Sequence, residues 1–179
     1  NDIVDRDLDA KVARTASRPL ASGAVSLKAA WAWLFLLCAI GLLVLVQLRI
    51  EAIFVALCSL ALVAAYPFMK RITWWPQLWL GLVFSWGVPV SWVTVTGRAD
   101  AAMLWLYGVT IFWFVCYDTI YAMQDREDDA LIGVKSTALL FGRATKPILW
   151  LFYGGALACW IAACLSVRVH QTAYLGLMI

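Results

Sequence analysis

"AAMLWLYGVTIFWFVCYDTIYAMQDREDD", residues 101–129, decides the fold. Between Ala101 and Met123 it carries a single charge, Asp118, and then places four acids in the five positions 125–129. A helix needs about 20 apolar residues to cross the hydrocarbon core of a bilayer, so the first part reads as a membrane span. Carboxylates at the end of such a span are costly unless something neutralises them. The opening of the chain repeats the pattern: "NDIVDRDLD", residues 1–9, holds four aspartates, and it contains, together with residues 121–129, eight of the eleven acids.

The rest of the chain fits a membrane protein. Hydrophobic residues make up 64% and charged residues only 14%, with eleven Trp, which is outside the range of ordinary soluble domains. Apolar runs recur at Leu27–Leu48, Ala52–Met69, Trp74–Thr96, Ala101–Met123 and Pro147–Val167, and a shorter run extends from near Thr172 to Ile179. The runs are continuous and lack the alternation of a membrane barrel. The expected fold is therefore all-α, a polytopic transmembrane helix bundle. A start inside an acidic motif, an end inside an apolar run and no initiator Met suggest a piece of one larger membrane domain, covering 1–179. All five cysteines lie in apolar runs without a Cys-x-x-Cys pair and read as packing residues, while His170 reads as an interfacial side chain.

Alternating helix direction assigns every loop to one of two faces. One face holds residues 1–28, Lys70–Thr73 and Gln124–Lys146; the other holds the links around Arg49–Glu51, Gly97–Asp100 and Arg168–Gln171. Eleven of the fourteen basic residues and nine of the eleven acids, counting Asp118, fall on the first face. The positive-inside rule makes that face cytoplasmic or matrix-side. Both acidic stretches thus reach the same membrane surface from more than a hundred residues apart.

Spacing then organises the acids. At about 100° per residue, Asn1, Asp2, Asp5 and Asp9 share one wedge of a helix while Asp7 points elsewhere, and Asp118, Asp125 and Asp129 nearly superimpose. Stacked carboxylates repel unless cations lie between them. With no Cys/His set to suggest zinc, hard divalent ions such as Mg2+ fit, because they take oxygen ligands and are shared between carboxylates and phosphate-bearing substrates. Two facing columns can clamp a diphosphate. A third segment on that face, "YPFMKR" (66–71), stacks Tyr66 and Lys70 one turn apart, with Pro67 a source of distortion, and offers Lys70 and Arg71 to phosphate oxygens. Arg18, in the turn-like "SRPLASG", reads as topological charge, and Lys135 as a contact to lipid headgroups or part of a cap.

These segments resemble a known family. "NDIVDRDLD" is similar to the N-D-x-x-D-x-x-x-D motif of the UbiA superfamily of intramembrane aromatic prenyltransferases, "DREDD" to its D-x-x-x-D motif through Asp125 and Asp129, and "YPFMK" to its Y-x-x-x-K motif through Tyr66 and Lys70. The strings "KVARTASRPLASGAVS" and "YDTIYAMQDREDDALIGVKSTALLFG" resemble the 4-hydroxybenzoate polyprenyltransferase branch, which serves ubiquinone synthesis. The likeness covers essentially the whole chain. It implies a single transmembrane prenyltransferase domain, a helix bundle around a central cavity, lacking N-terminal helices and the C-terminal end.

The resemblance further implies transfer of a polyprenyl group from its diphosphate to the ring carbon ortho to the hydroxyl of 4-hydroxybenzoate. Asn1, Asp2, Asp5 and Asp9 would hold one Mg2+, and Asp125 and Asp129 another, with Asp118 a weaker candidate. Asp5, Asp9, Asp125, Asp129, Lys70 and Arg71 form the expected catalytic set. Lys70 and Arg71 would neutralise the diphosphate; Arg6 would bind either the diphosphate or the benzoate carboxylate; Tyr66 and Tyr121 border the substrate. Trp113 and Tyr117 read as packing aromatics. The expected partners are the two substrates and the lipid bilayer, with no nucleic acid. The expected location is a bacterial inner membrane or the mitochondrial inner membrane. Alternatives are another aromatic acceptor, such as homogentisate, haem, dihydroxynaphthoate or chlorophyllide, or another membrane function. CDP-alcohol phosphotransferases use one compact aspartate motif, of which "DAKVAR" is only a partial echo. A cation-coupled transporter would place its carboxylates near mid-membrane.

Overall fold

In the computed structural model, residues 1–167 are described; the expected run from Thr172, the Arg168–Gln171 link and His170 lie outside them. Among these residues nine α-helices follow in order: α1 Asp2–Asp9, α2 Leu27–Leu45, α3 Ile50–Ile72, α4 Pro76–Ser85, α5 Gly87–Thr96, α6 Ala101–Ala122, α7 Arg126–Ile132, α8 Thr137–Phe141 and α9 Thr145–Ser166. No strand occurs among the described residues. Among the described residues five stretches are long and apolar enough to cross a membrane: α2, α3, α4 with α5, α6, and the α8–α9 region.

Polar side chains set several helix starts. Ser26, Asp100 and Ser136 each accept a hydrogen bond from the backbone N–H three residues on, at 3.2, 3.2 and 3.3 Å, satisfying donors the first turn leaves unpaired. Gly97 and Gly133 close α5 and α7 at φ 71° and 74°, a left-handed conformation that glycine adopts without steric cost.

Two prolines act differently. Pro67 lies inside α3, which continues to Ile72. The third crossing instead breaks at Trp86. Pro89 has no N–H for the carbonyl of Ser85, four residues earlier, and Trp86 N–H turns to the carbonyl of Val83 instead.

Helix α6 is the central element, packed along α9 on one side and α4 on the other, with α3 against α4 and α5. Small residues set the approach distances. A Cβ built on Gly81 would stand 3.1 Å from the backbone carbonyl oxygen of Ile111, and one on Gly155 would stand 3.1 Å from the Phe112 ring. Phe112, Phe141 and Phe152 meet Trp75 or one another edge-on or tilted, tying α6, α8 and α9 to the start of α4. Indole and phenol groups bond backbone carbonyls between helices: Trp79 to Leu62, Trp86 to Val55 and Tyr107 to Leu82, at 2.8–2.9 Å. Such groups have no water to turn to in hydrocarbon. Helix α2 buries no residue against the rest of the described chain.

Candidate functional site

At one end of the bundle, α1 and the irregular stretch after it cover the ends of α3 and α6 and the start of α7. Between them lies a cavity of about 220 Å³, the volume of about seven waters. Its lining contains Asn1, Asp9, Arg14, Arg18, Tyr66, Lys70, Asp118, Tyr121, Asp125 and Asp129. Residues from all three motifs therefore share one cavity, which is the convergence expected from the face assignment.

The first motif is distributed by its basic partners. Asp5 is fully buried, with Lys70 Nζ 2.8 Å from one oxygen and Arg71 Nη2 donating to the other at 3.0 Å. Arg71 also donates to the Val4 carbonyl at 3.1 Å, so Lys70 and Arg71 clasp α1 onto the end of α3. Neither Asp5 nor Arg71 lines the cavity. Asp9 does, accepting from Arg18 Nη1 at 2.9 Å, while Asp2 lies 3.5 Å from the same guanidinium and borders an apolar groove beside α2. Asn1 borders both spaces.

Three expectations are corrected here. Asn1, Asp2, Asp5 and Asp9 do not gather on one point: among the described residues no group of three His, Cys, Asp or Glu is arranged to hold a metal ion. Instead Lys70 and Arg71 hold Asp5 while Arg18 is shared by Asp9 and Asp2, and a buried carboxylate such as Asp5 requires such a countercharge. Arg6 is not among the residues that line this cavity; its Nε donates to exposed Asp7 at 3.1 Å. Asp118, Asp125 and Asp129 do not lie on one continuous helix. After Ala122 the backbone tightens into bonds to the third residue back, from Met123, Gln124 and Asp125, and α7 restarts with Asp125 as its N-cap residue. Acids at positions 127–129 then occupy the first turn of α7, where the helix dipole favours negative charge.

The second motif keeps its carboxylates on the cavity. Asp125 is held by Arg14, whose Nε donates to Oδ1 at 2.7 Å while Nη2 reaches Oδ2. Arg14 Nη1 also donates to the Tyr121 hydroxyl at 3.2 Å, and the guanidinium lies 5.6 Å from the Tyr121 ring centre. The Asp125 hydrogen bond, above all, raises the Arg14 pKa. Asp118 and Asp129 have no basic group within ion-pair distance among the described residues. Burial, and then the adjacent Asp125, push the Asp129 carboxyl up to about 6.

The cavity therefore has carboxylate charge that its own basic residues leave uncompensated. Its donors are oxygens, which suits a hard divalent cation rather than zinc. Mg2+ is commonly bound through one or two carboxylates, water and substrate phosphates, so a closed three-acid cluster is not required. Asp9, Asp118, Asp125 and Asp129 fit such ions, with Asn1 at the rim.

Arg14 was not singled out from the sequence and Arg18 was read as topological charge, because both lie in an irregular stretch where no helical period predicts their direction. Lys135 also has a defined position. Its backbone N–H donates to the Lys70 carbonyl at 2.9 Å, its ammonium donates to the Ile72 carbonyl at 3.0 Å, and Trp74 lies 5.9 Å away. A cation there suits the end of α3, where carbonyls lack partners. Trp113 meets Tyr153 edge-on at 6.0 Å, and neither Trp113 nor Tyr117 lines the cavity.

Comparison with known proteins places this geometry. The chain is 52% identical over 152 residues to a mitochondrial 4-hydroxybenzoate polyprenyltransferase of Drosophila pseudoobscura pseudoobscura, covering 84% of this chain and 38% of that one. It is 41% identical over 179 residues to the 4-hydroxybenzoate octaprenyltransferase of Stutzerimonas stutzeri (strain A1501), covering 100% and 60%. It is 45% identical over 180 residues to that of Shewanella sp. (strain ANA-3), covering 99% and 62%. The chain thus spans 38–62% of the length of these curated relatives. The apo structure of a UbiA homolog from Aeropyrum pernix K1 superposes with a TM-score of 0.81 at 28% identity, over 97% of this chain and 66% of that one. The model of the UbiA prenyltransferase family matches residues 1–179, and the chain belongs to that family.

Proposed function

We propose that the protein transfers a polyprenyl group from polyprenyl diphosphate to the carbon ortho to the hydroxyl of 4-hydroxybenzoate, in ubiquinone synthesis. One observation carries the reading: two acidic motifs, more than a hundred residues apart, share one cavity with basic side chains at the end of an apolar bundle. Relatives named for this reaction supply the acceptor.

Cleaving an allylic carbon–oxygen bond requires neutralising the charge that grows on the leaving diphosphate. Mg2+ bound at Asp9, Asp118, Asp125 and Asp129 would supply much of that neutralisation. Lys70 and Arg14, both on the cavity, provide further positive charge for phosphate oxygens. Lys70 and Arg71 hold Asp5, so they fix α1, and with it Asp9, against α3. Tyr66 and Tyr121 border the same space, and an aromatic face near the reacting carbon favours developing positive charge. The apolar bundle excludes water until the electron-rich ring attacks. Diphosphate departs with the electrons of the carbon–oxygen bond, the ring carbon bonds to the allylic carbon, and the ring then passes its proton to the released diphosphate or to water. The excess of basic residues on the loops of the site's face supports a cytoplasmic or matrix-side position for that face, in a bacterial or mitochondrial inner membrane.

The test uses the intact protein in lipid nanodiscs with a polyprenyl diphosphate, Mg2+ and a panel of aromatic acceptors. Prenylated 4-hydroxybenzoate and released diphosphate are expected, with turnover lost on EDTA addition and restored by excess Mg2+. Preference for another acceptor would reassign the substrate. Ion flux without diphosphate release would overturn the enzyme reading.

A further inference from the structure

The ion pair between Arg14 and Asp125 differs from the other charged contacts at the site. It joins the segment after the first motif to the second motif, across 111 residues of sequence. The guanidinium fork engages both carboxylate oxygens of Asp125, and its remaining nitrogen is on Tyr121. A cation approaching Asp125 on the side that the fork occupies competes directly with these N–H groups. Asp5 offers a contrast: it is fully buried, away from the cavity lining, and gripped by two neighbouring residues of one helix, as a permanent clasp would be.

The more exposed partner of the pair is Arg14. Its side chain is 42% exposed against 20% for Asp125, and it projects from irregular backbone rather than from a helix. Asp129 and Asp118 border the same cavity without a basic partner in ion-pair range among the described residues. A divalent cation placed between Asp125 and Asp129 would make the Arg14 fork redundant. The released guanidinium would remain at the cavity wall, on the same space as Lys70, where its planar donor array suits phosphate oxygens.

We propose that Arg14 is a positioning residue that occupies Asp125 until a divalent cation takes that carboxylate, and then turns to the diphosphate arriving with the cation. The inference rests on the prenyl-diphosphate reading above. Its consequence is mutual: a cation alone competes with the fork, an anion alone competes with Asp125 for the guanidinium, and the two together exchange partners. Metal and diphosphate therefore tighten each other's binding through this side chain.

Binding by the intact protein in nanodiscs tests this without turnover, using Mn2+ followed by electron paramagnetic resonance and inorganic pyrophosphate as probes. In the wild type, pyrophosphate is expected to tighten Mn2+ binding beyond the effect of their complex in solution. Arg14→Gln is expected to bind Mn2+ alone about tenfold more tightly, the scale of one lost charged hydrogen bond, and to lose most of the pyrophosphate enhancement. Arg14→Lys, which keeps the charge but not the fork, should fall between. Asp125→Asn supplies the reverse arm: with Arg14 released, pyrophosphate alone should bind more tightly than to the wild type. Unchanged or weaker Mn2+ binding by Arg14→Gln, or unchanged pyrophosphate binding by Asp125→Asn, overturns the exchange while leaving the functional reading intact. A wild type that binds neither probe overturns both.

Discussion

Asp7 and Asp125 carry the same carboxylate in opposite surroundings. Asp7 is 86% exposed and touches only its neighbour Arg6, whereas Asp125 lines the cavity and is bound by a side chain from a distant segment. Asp7→Asn should leave prenyl transfer near the wild-type rate, while Asp125→Asn should lower turnover by at least about a hundredfold, the scale of removing a group that stabilises transition-state charge. Steady-state assays of both variants, with membrane expression as the folding control, check this. Asp5 requires a different expectation. Its removal strands Lys70 and Arg71, and because both are partly exposed the loss should be about 2 kcal/mol, below that of a fully buried pair. Asp5→Ala should therefore lower the thermal midpoint as well as activity; a midpoint equal to that of wild type would remove the clasp from the account. The direction of Asp7 was legible because a single helical turn predicts it. The partners of Asp2, Asp5, Asp9 and Asp125 were not, since each comes from another segment.

Among the elements, the short α7–α8 region depends on polar contacts with the longer helices. Gln77 of α4 accepts the Thr137 N–H at 2.9 Å, and the Thr137 and Thr119 hydroxyls share a hydrogen bond at 2.6 Å. All three residues are buried. Gln77→Leu leaves a buried N–H unpaired and should cost about 1–3 kcal/mol, with faster hydrogen exchange across residues 133–141 as the local readout. The helix contacts give a second comparison. Gly81→Ala sets a methyl against the backbone of α6, whereas Gly155→Ala meets the outer end of the Phe112 ring. A ring end can rotate and a backbone carbonyl cannot, so Gly81→Ala should be the more destabilising in thermal unfolding. Helix existence was legible from the apolar runs. The break at Trp86 and the restart at Asp125 depend on where individual N–H groups find acceptors, which hydropathy does not encode.

For the whole molecule, alternating crossings bring α1, the end of α3, and α7 to one end of the bundle, with the α5–α6 link opposite. In a cysteine-free background, Ser22→Cys and Glu127→Cys should react with a membrane-impermeant maleimide from the same side, and Arg98→Cys only from the other. Opposite labelling of the first two would separate the motifs that the cavity unites. The sequence by itself determined the class of fold, the number of long apolar crossings among residues 1–167 and the shared face of the motifs, because hydrocarbon admits only long helices with few charges and successive crossings alternate in direction. Only the tertiary structure decided which carboxylates open onto the cavity and which are locked away by Lys70, Arg71, Arg14 and Arg18. The choice turns on which cation lies within a few ångströms of each carboxylate, and those distances are set by how helices far apart in the chain pack together.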